Sequence, residues 1–231
     1  MSTSVASPGK RAAKKNAKAK PAAPPQLDPR ADDEYCMAIV VVGGQARNVG
    51  KTSLVANLIK AVPERHWTAV KITPDEHDLP KGASYLLREE TDASSDTDTA
   101  RYLRAGARRS LLLTARPGCL ADAIPELRRE LGRADDVILE SNSVLEFLEP
   151  DVYLAVLDPA IADFKSSARQ YLQQASAVVL NQPERRGIRW DKTVLDQVMR
   201  KPIFRVHPPQ YLTPDLVEFV RKKLQALDQR L

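Results

Sequence analysis

The residues with the clearest chemistry follow a run of β-branched residues and read Gly43-Gly44-Gln45-Ala46-Arg47-Asn48-Val49-Gly50-Lys51-Thr52-Ser53. The chain has only nine glycines, and three of them stand at positions 43, 44 and 50. Glycine lets a backbone turn tightly and approach a ligand with no Cβ in the way. Successive N–H groups then converge on phosphate oxygens, and the positive end of the following helix adds to their pull. Lys51 is placed to reach the β- and γ-phosphates of a nucleoside triphosphate, and the Thr52 hydroxyl to ligate Mg²⁺. The expected nucleotide contacts are Gly44, Arg47, Asn48, Val49, Gly50, Lys51, Thr52 and Ser53, with Lys51 the catalytic cation. The usual loop has four residues between its first glycine and Gly-Lys-Thr; from Gly44 there are five, and strict counting puts Gln45 at the glycine position.

Carboxylates and amides elsewhere supply the rest. Asp136 opens and Glu140 closes the apolar run Val137-Ile138-Leu139. A carboxylate at the carboxyl end of a parallel strand beside a phosphate loop can hold Mg²⁺ and offset triphosphate charge, so Glu140 is expected as a metal and catalytic residue. Asp136, at the other end, reads as structural. Thr73-Pro74-Asp75-Glu76-His77-Asp78 offers Asp75 and Asp78 as Mg²⁺ contacts, although acids in a proline-containing loop also form turns. Asp96 and Asp98 compete for the same role, with helix capping as their alternative. Lys71, just past a strand, faces either phosphate or water. Asn181 ends another apolar run and is expected near the base; Asn181-Gln182-Pro183-Glu184 keeps the Asn of the guanine-reading Asn-Lys-x-Asp sequence and has Glu at its last position. GTP and ATP both remain open.

The elements that must position these groups alternate. Strands are expected at 36–42, 68–72, 110–113, 136–139, 152–157, 177–180 and 203–206, because their short apolar runs suit strands covered on both faces. Helical spacing falls between most of them, at 53–60, 97–105, 121–131, 166–173, 192–199 and 214–227. The stretch 85–89 fits neither pattern cleanly. Such alternation implies βαβ units and a three-layer α/β fold, a mostly parallel central sheet flanked by helices. Ligands of such sheets bind beyond the carboxyl ends of the strands.

Charge and composition narrow the function classes. The 231 residues carry a formal charge of +5, but six of the 35 Lys and Arg lie in the first 20 residues, which contain no acid. Without that segment 29 bases face 30 acids, which disfavours nucleic-acid binding by the core and leaves it only to the tail. Residues 1–33, rich in Lys, Ala and Pro, are expected to be a disordered basic tail, and 36–231 a single domain. Two cysteines and three unpaired histidines make neither a disulfide framework nor a zinc site. No apolar run is long enough for a membrane span, and the N-terminus lacks the hydrophobic core of a secretory signal. A cytoplasmic, reduced protein is expected.

The one-residue expansion makes Gly44-Gln45-Ala46-Arg47-Asn48-Val49-Gly50-Lys51-Thr52 resemble the longer phosphate loop of the dethiobiotin synthetase and cobyrinic acid amide synthetase group of P-loop NTPases. Overall the chain looks most similar to the molybdopterin-guanine dinucleotide biosynthesis protein B family. The matching features are the loop, Lys71 after Val70, the stretch Asp96-Thr97-Asp98-Thr99-Ala100-Arg101-Tyr102-Leu103-Arg104-Ala105-Gly106-Ala107, and Val137-Ile138-Leu139-Glu140. Where both families typically follow that Glu with Gly, this chain has Ser141-Asn142-Ser143, and Lys71-Ile72-Thr73 replaces a lysine-histidine pattern. The resemblance implies a Mg²⁺-dependent GTPase or ATPase acting as an adaptor in cofactor biosynthesis, with a partner protein and a homodimer. Arg47, the only charge inside the loop, would act on phosphate within the chain or across a dimer, or stand simply as a surface arginine. Two rival readings are an ATP-dependent carboxylate-activating ligase and a non-enzymatic nucleotide switch.

Overall fold

The computed structural model describes residues 37–74, 77–182, 187 and 189–229. The expected tail, Cys36, Asp75 and Glu184 lie outside the described residues.

Among the described residues eight strands form one sheet: β1 (Ile39–Gly44), β2 (Trp67–Thr73), β3 (Tyr85–Glu89), β4 (Arg109–Ala115), β5 (Asp136–Glu140), β6 (Val152–Leu157), β7 (Ala177–Asn181) and β8 (Ile203–Val206). Their order across the sheet is β3-β4-β2-β5-β1-β6-β7-β8. All pairings are parallel except that of β3 with β4. The ambiguous stretch 85–89 is thus an edge strand, half-buried at Tyr85, Leu86 and Leu87 and exposed at Arg88 and Glu89. Among the described residues one side of it has no neighbouring strand, which is why its pattern is mixed.

Six α-helices among the described residues cover the sheet: α1 (Lys51–Ala61), α2 (Asp98–Arg104), α3 (Leu120–Leu131), α4 (Ser166–Tyr171), α5 (Lys192–Val198) and α6 (Pro214–Asp228). Strand side chains alternate between faces, so β1 sends Ile39 and Val41 into one core and Val40 and Val42 into the other. The first core collects Ile124, Leu127 and Leu131 of α3 with Tyr171 of α4 and Val194 and Val198 of α5. The second collects Leu54, Val55, Leu58 and Ile59 of α1 with Tyr102 of α2 and Leu216, Val220 and Leu224 of α6. The result is the expected three-layer α/β arrangement.

Side-chain caps mark where several helices begin. Thr97 accepts from the Ala100 N–H at 3.1 Å, Asp191 from Val194 at 3.0 Å and Thr213 from Leu216 at 3.4 Å. β1 lies between β5 and β6, while the chain leaves it through α1 to reach β2 on the far side of β5. Connections diverge at its carboxyl end and open a crevice there.

Candidate functional site

The loop from β1 to α1 fills this crevice. Its start is held by Asn142, the second residue past β5. Asn142 Oδ1 accepts from Gly44 N at 2.9 Å, and its Nδ2 donates to Gly44 O at 2.8 Å. A Cβ on Gly43 would sit 2.1 Å from Asn142 Oδ1, so the close approach requires glycine there. Gln45 is fully buried. Its Nε2 donates to Ile161 O at 2.6 Å and Asp163 O at 3.1 Å, and its Oε1 accepts from Asp158 N at 2.9 Å. The residue that breaks the usual loop spacing thus bolts the loop to the segment after β6.

The loop then turns through two left-handed residues, Asn48 at φ 60° and Gly50 at φ 97°. Asparagine tolerates this region, and glycine enters it without strain. A Cβ on Gly50 would also lie 2.0 Å from the Tyr211 ring, which packs over the helix start. Helical bonding begins with Leu54 N donating to Gly50 O at 2.9 Å. The open N–H groups of the first turn of α1 therefore sit at the mouth of the crevice.

Lys51 folds back along the loop, its Nζ donating to Ala46 O at 2.9 Å. Burial pushes its ammonium below the ordinary lysine range; nearby Glu140 opposes that shift, while Lys165 and Lys71 add to it. Lys165 is likewise lowered, by burial and then by Arg47. Cations crowded in this way favour a polyanion.

Carboxylates meet them from two elements. Glu140, buried at the end of β5, accepts from Thr52 Oγ1 at 2.8 Å and from the Tyr102 hydroxyl. Burial, with Glu140 alongside, holds the Tyr102 phenol well above its usual range, so it stays a donor. Asp98, in the first turn of α2, accepts from Lys71 Nζ, which also lies 3.4 Å from both Glu140 Oε1 and Thr52 Oγ1. Arg101 donates to Ser53 Oγ at 3.1 Å.

A cleft of about 500 Å³ joins Arg47, Asn48, Gly50, Lys51, Thr52 and Ser53 to Lys71, Asp98, Glu140 and Tyr211. The sequence-based candidates divide accordingly. Gly44 and Val49 stand behind the loop, the Gly44 N–H committed to Asn142. Asn181 is buried against the back of the loop, its Nδ2 donating to Val49 O at 3.0 Å and its Oδ1 unpaired among the described residues. Asp75 lies outside the described residues, and Asp98 is the carboxylate of α2 that joins Glu140. Asp78 pairs with Arg88 at 2.6 Å. Asp136 holds Ala38 N at 3.1 Å and Arg65 at 3.3 Å, the structural role expected of it.

The sequence does not single out Asn142, Tyr102 or Tyr211, whereas Lys165 lies in Asp163-Phe164-Lys165-Ser166-Ser167, a stretch after the strand 152–157 that reads either as a substrate edge or as a helix entry. For Tyr102 a signal existed: Asp98, Arg101 and Tyr102 share one helix face by their spacing of three and four. Nothing local marks Tyr211, which arrives from a distant loop.

Among the described residues no group of three or more His, Cys, Asp and Glu is placed to hold a metal, and no helix is long and apolar enough to cross a membrane. Thr52, Asp98 and Glu140 nevertheless form a set of hard oxygen donors around the Lys71 ammonium, which fits Mg²⁺.

The strand order, the crevice at β1 and the glycine-bearing loop capped by Lys51 and Thr52 define the fold class of P-loop NTPases. No family model and no curated protein matches the chain. Solved structures similar to it include the HypB protein of Helicobacter pylori in complex with nickel, at 14% identity over 84% of this chain and 89% of that one, TM-score 0.48. The hydrogenase maturation factor HypB of Archaeoglobus fulgidus has 13% identity over 81% and 90%, TM-score 0.49. LpxK of Aquifex aeolicus in complex with ATP has 16% identity over 73% and 53%, TM-score 0.46. At these scores the likenesses carry no inference about this chain, whose fold class rests on its own strand order and loop.

Proposed function

We propose that the cleft binds a Mg²⁺-nucleoside triphosphate, GTP or ATP, and cleaves its terminal phosphoanhydride. The observation that supports this most is the Thr52 hydroxyl, beside Lys51 at the start of α1, hydrogen-bonded to the buried carboxylate of Glu140. In this reading the first-turn N–H groups of α1 and Lys51 neutralise the β- and γ-phosphates. Thr52, Asp98 and Glu140 hold the metal. Bound there, Mg²⁺ supplies charge neutralisation at the phosphate oxygens. Tyr102 fixes the Glu140 carboxylate, Tyr211 and Asn48 shape the entry, and Asn181, buried behind the loop rather than in the cleft, supports it through Val49 O.

By the resemblance of its motifs, the protein serves as an adaptor GTPase in a cofactor-biosynthesis step like that of molybdopterin-guanine dinucleotide biosynthesis protein B, with a partner protein. Arg47, exposed at the rim of the cleft, suits a contact across a homodimer. Calorimetric titration of the full chain with GTP and with ATP, each with Mg²⁺ and with EDTA, tests the site and chooses the base. Absence of binding by either nucleotide in Mg²⁺ overturns it.

One observation favours transfer to a second substrate instead. A cavity of about 530 Å³ adjoins the cleft, shares Arg47, Lys51, Glu140 and Lys165 with it, and is further lined by Arg116, Ser141, Ser143 and Ser166. Cations and hydroxyls beside the γ-phosphate position suit an anionic acceptor such as a carboxylate, as a carboxylate-activating ligase requires. Phosphate release that depends on an added carboxylate supports this reading, and slow release without one supports the adaptor.

A further inference from the structure

The Lys71 ammonium sits where three oxygens from three separate elements converge. Asp98 Oδ2 comes from the first turn of α2, Thr52 Oγ1 from the first turn of α1, and Glu140 Oε1 from the end of β5. Glu140 is buried and Asp98 only part-exposed, so this carboxylate pair needs a positive charge between its members. The same three oxygens are the donors that suit a divalent cation, whose Mg–O distance of about 2.1 Å leaves no room for an ammonium beside it.

We propose that Lys71 is a built-in counter-ion sharing the position of the divalent cation, so that the metal enters only by displacing it. Resting on the nucleotide reading above, this couples metal to triphosphate. A metal arriving alone must expel the ammonium from two carboxylates into a cleft already holding Lys51, Arg101 and Lys165. A metal arriving with triphosphate brings phosphate oxygens that receive the ammonium, so each ligand raises the affinity of the other. Lys71 is the fifth residue of β2, and Ile72 and Thr73 after it line the same cleft. A change of side-chain rotamer is therefore enough to carry Nζ from the carboxylates toward the phosphates, with the sheet unmoved. Lys71 thereby acts as a positioning residue, keeping Asp98 and Glu140 directed at one point until the metal takes over.

Mn²⁺ binding to the nucleotide-free full chain, followed by the electron paramagnetic resonance of free Mn²⁺, tests this directly. Lys71→Met should bind Mn²⁺ at least about tenfold more tightly than wild type, because no ammonium competes. The variant should also melt earlier than wild type in EDTA and recover on adding Mg²⁺, whereas the wild-type midpoint should hardly move. Lys71→Gln should behave as Lys71→Met does, which guards against a packing defect particular to methionine. Equal Mn²⁺ affinity in wild type and either folded variant overturns the proposal. If both variants fail to fold even with Mn²⁺, the wild type decides: saturable micromolar Mn²⁺ binding without nucleotide overturns the proposal, and its absence supports it. None of these measurements contains nucleotide, so they stand or fall apart from the GTP and ATP titrations.

Discussion

Thr52 Oγ1 donates a 2.8 Å hydrogen bond to Glu140 Oε2, joining the start of α1 to the end of β5 across 88 residues of sequence. Thr52→Ala removes one of the proposed metal oxygens and one of the two hydroxyl donors to Glu140, but leaves Lys51 and the loop amides in place. Triphosphate affinity in Mg²⁺ should fall by about tenfold or more, while affinity in EDTA stays near wild type. Calorimetry under the two conditions checks this, and an undiminished Mg²⁺ effect in the variant contradicts it.

Lys51→Ala should weaken triphosphate binding by about a hundredfold, close to 3 kcal/mol, with an unchanged circular dichroism spectrum. The pH dependence has a definite sign. Burial holds Lys51 below its ordinary 10.5, so it loses its proton earlier than a solvated lysine as pH rises, and affinity should decline with it. In the window between the folded value and 10.5 the unfolded chain binds more protons, so this group's contribution to stability rises with pH there. Binding and stability should therefore move in opposite directions, and Lys51→Met should flatten both trends.

Gln45→Ala deletes a fully buried amide that serves Asp158 N, Ile161 O and Asp163 O. Of these, Ile161 O keeps a second donor in Trp190. Unmet polar groups and a small void together should cost about 2–4 kcal/mol, measurable as a lower urea midpoint. A loss under about 0.5 kcal/mol would show that the loop is anchored by other contacts.

Gly50→Ala meets two obstacles, a φ of 97° and the Tyr211 ring at 2.0 Å from the new Cβ. Nucleotide affinity should drop by at least about tenfold, and stability by about 1–3 kcal/mol. Adding Tyr211→Ala removes the clash but not the backbone strain, so it should recover only part of the stability. Full recovery in the double variant would assign the whole effect to the ring.

Several features were legible before any coordinates. The alternation of β-branched runs with helical spacing predicts seven of the eight strands and all six α-helices among the described residues, with strand 152–157 matching β6 end to end. Strands buried on both faces are continuously apolar, which one-dimensional pattern captures well; β3 was obscure because an exposed edge mixes both patterns. Gly50-Lys51-Thr52 is a local motif, since loop, helix start and the Lys51 and Thr52 side chains are neighbours in the chain. Glu140 was legible through its place at a strand end.

The closure of the site was decided in three dimensions. Asp98 rather than Asp96 joins Glu140 because Asp98 opens α2 and reaches Lys71, whereas Asp96 is exposed ahead of the Thr97 cap. The partners of Gln45 and Asn142 lie roughly 100 or more residues away, so no spacing rule reveals them. Lys165 and Tyr211 reach the cleft from loops after β6 and β8 because parallel strands deliver those ends to one edge. The amino-acid sequence thus determined the layered fold and the glycine-bearing turn after β1, whose causes are local periodicity and backbone freedom. The charge arrangement around that turn was set by sheet order, because groups far apart in the chain meet only once the strands lie side by side.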